Sequence, residues 1–212
     1  MQSAKFSDEN VSRGTFDDAW AERIEDDLGS VFFTFDMPVK APSSLWMQNT
    51  MDHHHVPIIH KDTFSKVFET HIPYDVCISD NASSHRLKVK ADVVNTYLRL
   101  CGNSVTDNFY HVVSYPNLSV TSFLNVFYSF ETVKENSEGC RVTTKFFRSK
   151  SNPIPGALAE AAIEMNKKIL KEDRAIVESW AETYADITHC NWLSGEDRIK
   201  AYCEYSSKRA SK

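Results

Sequence analysis

The hydrophobic pattern changes period once along this chain, and the change divides it. Residues 71–150 read as strands. Arg86-Leu87-Lys88-Val89-Lys90-Ala91-Asp92-Val93 alternates strictly, as a strand with one wet face does. Ile72 to Ile78 alternates loosely. Val94 to Leu100, Phe109 to Tyr115, Leu118 to Phe130 and Arg141 to Phe147 are rich in β-branched and aromatic residues. Asp80-Asn81, Gly102-Asn103-Ser104, Pro116-Asn117 and Asn136-Ser137-Glu138-Gly139 supply the turns. About six strands on short connections predict an antiparallel sheet. After Ser151-Asn152-Pro153-Ile154-Pro155-Gly156 the period becomes 3.6. Ala157 to Tyr184 predicts one long helix with an apolar stripe of Met165, Ile169, Leu170, Ile176, Val177 and Trp180. Strands followed by a long helix that lies across them predict an α+β fold.

The flanks are less regular. Residues 1–30 are polar, with Phe16, Trp20 and Ile24 at helical spacing. Val31-Phe32-Phe33-Thr34-Phe35-Asp36 predicts a strand closed by Pro38 and Pro42. A helix is expected from Ser43 or Ser44, with serine as its cap, running into residues 49–60. Leu193-Ser194-Gly195-Glu196-Asp197-Arg198-Ile199 reads as the capped start of a short last helix, and residues 206–212 as a frayed tail.

Composition narrows the class. The chain has 212 residues, 42% of them hydrophobic, enough for one sizeable core. Its net charge of -5, from 24 basic and 29 acidic residues, argues against nucleic acid as the main partner. No apolar run is long enough for a membrane span, and the start has no apolar stretch of signal-peptide length. The five cysteines are scattered and odd in number, so neither a disulfide framework nor a cysteine-held cluster is expected, and a cytoplasmic setting fits.

Two features carry candidate chemistry. Four of the eight histidines lie within Asn49-Thr50-Met51-Asp52-His53-His54-His55-Val56-Pro57-Ile58-Ile59-His60. Asp52 and His55 share a helical face. His55 and His60 do not on a straight helix, but Pro57 between them should kink or end it and let His60 swing back. The bland reading is a surface histidine run. The second feature is Asp173, which sits inside the apolar stripe of the long helix. A carboxylate there must be paired, hydrogen-bonded or metal-bound; a buried Arg or Tyr of the sheet would serve as well as a metal. Glu172 and Arg174 fall off the stripe and read as solvated charges. Two histidines and one carboxylate make the facial set used for non-haem Fe(II) oxygen chemistry, and a zinc hydrolase is the rival from the same atoms.

The spacing Asn49-x-x-Asp52-x-x-His55-x-x-x-x-His60, followed by Thr63-Phe64, resembles the mononuclear-iron motif of Rieske-type non-haem iron oxygenases. Lys171-Glu172-Asp173-Arg174-Ala175-Ile176-Val177-Glu178 resembles the helix that carries their carboxylate ligand. Tyr115-Pro116-Asn117-Leu118 and Gly195-Glu196-Asp197-Arg198-Ile199 resemble two further segments of that domain, over about residues 30–205. The nearest flavour is the monooxygenase and demethylase side. The resemblance implies a helix-grip fold like that of START and Bet v 1-like domains, with residues 31–205 as the catalytic domain. It implies His55, His60 and Asp173 as ligands of one Fe(II), Asp52 orienting a ligand histidine and relaying electrons, and Asn49 near the iron. His53 and His54 match no ligand position. Phe127, Phe146, Leu170 and Trp180 are candidate pocket residues. The implied partners are O2, an apolar or aromatic small molecule and the other subunits of a homotrimer.

The sequence departs from the family in one respect. No Cys-x-His or Cys-x-x-His pair occurs, and 48 residues precede Asn49, so an intrinsic [2Fe-2S] cluster is not expected. The electrons would come from a separate ferredoxin or Rieske-type protein, or from a cosubstrate. The alternative is a START-like module that binds a hydrophobic ligand and keeps the metal site without oxygenase activity.

Overall fold

The computed structural model describes residues 11–13, 24–101, 105–183 and 196–210. Its strands are β1 (Val11–Arg13), β2 (Leu28–Val39), β3 (Tyr74–Ile78), β4 (Ala82–Lys88), β5 (Asn108–Ser114), β6 (Leu118–Phe123), β7 (Phe127–Asn136) and β8 (Gly139–Ser149). Its helices are α1 (Ser43–Met51), α2 (Val56–Ile59), α3 (Ala91–Cys101), α4 (Gly156–Thr183) and α5 (Asp197–Ala210), with a 3-10 turn at Phe64–Val67. One sheet runs in the order β1-β3-β4-β5-β6-β7-β8-β2; it is antiparallel from β3 to β2, and β1 adds in parallel at the β3 edge. The long helix α4 lies against this sheet, so the fold is the expected α+β helix grip. Among the described residues no helix is long and apolar enough to cross a membrane.

Alternation along the strands sorts side chains to two faces. Tyr110, Val112, Val120 and Tyr128 form an outer cluster with Ile24. The inner face holds two clusters. One joins Met37, Val39, Val113 and Val142 to Trp46 and Met47 of α1, Leu170 and Val177 of α4, and Ile199 and Tyr202 of α5. The other joins Leu87, Phe109, Phe123 and Phe127 to Val56 and Ala159. Burying a side chain such as Val177 contributes about 2 kcal/mol.

Several local expectations are corrected. Pro38 lies inside β2, opposite Arg141. The strand is an edge of the sheet, where the missing N–H leaves no ladder bond unmade on the open side. No serine caps α1: Pro42 is its N-cap, and the N–H of Ser43 donates to Glu135 Oε1 at 2.7 Å. Pro57 does not end a helix. The break comes earlier, at Asp52, and Pro57 starts α2, where its fixed φ suits the first turn.

Val94 to Leu100 is helix α3, not a strand. Val94, Tyr97 and Cys101 recur at helical spacing and pack on the second inner cluster, so tertiary burial overrides the β-branched composition. The run Leu118 to Phe130 is a hairpin of β6 and β7, turned at Leu124 and Asn125. Both adopt left-handed φ, 57° and 54°, and Val126 N–H closes the turn on Phe123 O at 2.9 Å.

The expected helix at Phe16, Trp20 and Ile24 falls largely outside the described residues, as do the turn at 102–104 and residues 193–195. Ser206 to Ala210, expected to fray, form the last turns of α5.

Candidate metal centre

The chain break between α1 and α2 turns the histidine run inward. Asp52 ends α1 with its N–H on the carbonyls of Gln48 and Asn49, and its Oδ1 accepts the N–H of His54 at 2.8 Å. His55 then caps α2, and His60 closes it with its N–H on Val56 O. His55 and His60 thus sit at opposite ends of one helical turn, and both rings are buried. Asp173 faces them from the middle of α4, also buried.

The three side chains converge. His55 Nε2 lies 3.2 Å from His60 Nε2; Asp173 Oδ1 lies 3.3 Å from the former and 3.1 Å from the latter. Asn49 Nδ2 donates to the same oxygen at 2.8 Å, and Asn49 is itself buried. Asp52 Oδ2 stands 3.7 Å from His55 Nδ1, too far for a hydrogen bond but close enough for their charges to interact. His53 is buried beside the site, while His54 is half-exposed.

Glu172, expected in solvent, instead reaches the site. Its Oε2 accepts from His60 Nδ1 at 2.8 Å and from Thr63 Oγ1 at 2.9 Å. Arg174 does what was expected of a surface charge, pairing with Glu178 one turn along the helix.

The electrostatics follow from these contacts. Burial pulls the His55 imidazole down, but the carboxylates of Asp173 and Asp52 outweigh it and raise its pKa to about 9. Burial pushes Asp173 up, yet the two imidazoles hold it well below the usual carboxylate range. Burial and the charge of His54 lower His53 to about 4.

Hydrogen bonding tests whether the site suits a metal. With its Nδ1 hydrogen given to Glu172, neutral His60 presents a lone pair at Nε2. That lone pair faces the Asp173 oxygen and the second imidazole nitrogen in a buried space. Converging lone pairs repel unless a proton or a cation stands between them. A borderline metal ion suits this N2O donor set, and His55, His60 and Asp173 would hold it.

The centre opens on a cavity of about 340 Å³. Phe64, Phe109, Phe123, Phe127, Phe146 and Leu170 line it, together with His55, His60 and Asp173. Of the four candidate pocket residues, Trp180 is the exception: it packs on the core cluster beneath α1. The cavity wall also carries polar residues that sequence reasoning missed, His85, His111, Ser119 and Glu131 among them. Their signal is an apolar strand pattern broken by polar residues on the inward positions.

No family model matches the chain, and no curated protein does. Solved structures do. The quaternary ammonium Rieske monooxygenase CntA, in complex with an inhibitor, matches with a TM-score of 0.66 at 15% identity, over 92% of this chain and 54% of that one. Dicamba monooxygenase bound to dicamba matches with a TM-score of 0.59 at 12% identity, over 85% of this chain and 59% of that one. NdmB of Pseudomonas putida CBB5 matches with a TM-score of 0.55 at 14% identity, over 84% and 49%. The chain therefore has a Rieske oxygenase catalytic-domain-like fold. It spans just over half the length of the CntA and dicamba monooxygenase chains.

Proposed function

We propose that this chain is the catalytic part of a non-haem Fe(II)-dependent oxygenase that hydroxylates or demethylates an apolar or aromatic substrate. One observation carries the reading: His55 Nε2, His60 Nε2 and Asp173 Oδ1 converge within 3.3 Å of one another on the wall of a largely apolar cavity. The fold shared with Rieske monooxygenases supports it. Bound Fe(II) would supply the O2 chemistry at this site.

The chain's own residues do the rest. Glu172 fixes the tautomer and ring plane of His60. Asn49 holds Asp173 Oδ1 toward the histidines. Asp52 balances His55 from its far nitrogen and would relay the incoming electrons. Phe64, Phe109, Phe123, Phe127 and Phe146 exclude water and hold an apolar ring against the centre. The electrons come from a separate ferredoxin or Rieske-type donor.

The test is the metal content of protein purified anaerobically, with His55→Ala as control. About one iron per chain, lost in the variant, is the expected result. Zinc bound in iron-replete cells would overturn the oxygenase reading in favour of hydrolysis. No metal after Fe(II) addition would leave a hydrophobic-ligand binding module.

A further inference from the structure

Behind two histidines of the cavity wall, His85 and His111, lies a buried cation. Arg198, on α5, is 3% exposed. Its Nε donates to Ser83 Oγ at 3.1 Å and its Nη2 to Ser83 O at 3.4 Å. Nη1 donates to His85 Nδ1, and both Nη atoms approach His111 Nδ1, at 3.3 and 3.4 Å. Among the described residues no carboxylate pairs with it. Burying a charge without a counter-ion costs several kcal/mol, so the arrangement calls for an anion nearby.

The guanidinium only donates, so both Nδ1 atoms must be acceptors. Each imidazole is then neutral and carries its hydrogen on Nε2. His111 Nε2 spends that hydrogen on Ser119 Oγ, 2.9 Å away, and leaves the serine O–H free to donate. His85 Nε2 has no hydrogen-bond partner among the described residues, and its ring lines the cavity. His53, 5% exposed, also lines the cavity and has an unpartnered Nε2. Register puts these groups side by side: His85 pairs with His111 across β4 and β5, and Ser119 with Glu131 across β6 and β7. Burial pushes the Glu131 pKa up to about 7, so this neighbour takes up a proton readily beside an anion.

We infer that Arg198, acting through His85 and through His111 and Ser119, makes this wall a binding site for the carboxylate of an otherwise apolar substrate. Arg198 is a positioning residue: it sets the tautomers and supplies the positive field, while His85 Nε2–H and Ser119 O–H touch the ligand. The inference rests on the cavity being the substrate chamber of the proposed oxygenase.

The experiment measures binding of benzoate, benzamide and ethylbenzene to the metal-loaded protein, to His85→Phe and to Ser119→Ala. Benzoate should bind at least about 10-fold tighter than ethylbenzene, and each variant should weaken benzoate by roughly 10- to 100-fold while changing ethylbenzene less than about twofold. Equal losses for both probes, or no preference for benzoate, overturn the site. Benzamide binding as tightly as benzoate overturns the carboxylate assignment. Histidine ¹⁵N shifts should show unprotonated Nδ1 at His85 and His111; a protonated Nδ1 at either overturns the relay. Arg198→Met should lose both the tautomer signature and the benzoate preference, and Arg198→Lys should recover part of each. If Arg198→Met does not fold, the His85 and Ser119 variants still decide. Metal content is measured on the same samples: a chain without metal that still prefers benzoate refutes the oxygenase reading and not this one.

Discussion

His60 Nδ1 donates to Glu172 Oε2 across 2.8 Å, joining residues 112 positions apart. The bond decides which nitrogen of His60 is free to ligate, because the other carries the hydrogen. It also explains why Glu172 and Asp173, adjacent on one helix, both face the site: they bracket the two nitrogens of a single imidazole.

Glu172→Ala should therefore weaken metal binding without removing a ligand. Partners of this kind typically contribute 10- to 100-fold in affinity, so a loss of roughly that size is expected. Glu172→Gln keeps an acceptor oxygen and should lose less. Competition titration with a chelator of known affinity reads both. Wild-type affinity in the alanine variant would remove Glu172 from the site.

Asp173→Asn is the sharper test of the ligand set. The amide keeps the volume and an oxygen for Asn49, whose Nδ2 donates to Asp173 Oδ1. It loses the charge that a divalent cation needs. The variant should fold and bind no iron, as should His60→Ala. Elemental analysis beside circular dichroism separates the outcomes, and full iron content in either variant would refute the assignment.

How much of this was legible in the sequence depends on range. Asp173 stood out because a charge inside a 3.6-period apolar stripe is a contradiction visible within a dozen residues. His55 and His60 stood out by type and by the nearby proline, although the chain breaks at Asp52 and not at Pro57. The start of α4 was readable to within one residue. Glu172 was not, since its partner His60 lies on another element. Arg198 was noticed only as part of a terminal segment; its burial with Ile199 and Tyr202 depends on α5 docking on the sheet. The helix α3 and the turn at Leu124 were missed because packing overruled composition. Leucine gives no turn signal, yet Leu124 adopts φ 57° while completely buried.

Asp52→Asn should separate metal binding from turnover. Asp52 Oδ1 accepts the His54 N–H, a bond that asparagine can keep, so the break after α1 should survive. The charge 3.7 Å from His55 Nδ1 is lost. Iron content should match the wild type, while dioxygen uptake with an artificial electron donor should fall steeply. Undiminished uptake would exclude Asp52 from electron delivery.

Glu131 yields a prediction about stability and pH, measured on the metal-free protein because the charge of Asp173 contributes to it. It is buried on the cavity wall, with Trp46 Nε1 donating to its Oε1 at 2.6 Å and Thr144 Oγ1 3.5 Å from its Oε2. Burial, with the negative charge of Asp173 adding to it, outweighs both bonds and raises its pKa from 4.5 to about 7. Between these values the folded chain holds a proton that the unfolded chain has released. Stability should therefore be highest, as far as this group is concerned, below pH 4.5 and should fall as pH rises to about 7. The interval corresponds to about 3 kcal/mol. Glu131→Gln keeps an oxygen for Trp46 and cannot ionise, so its stability relative to the wild type should increase by up to that amount between pH 4.5 and 7.5. Urea unfolding of both proteins across this range measures it. A constant difference would mean that the folded chain leaves the Glu131 pKa where the unfolded chain has it, with Trp46 and Thr144 compensating for its burial.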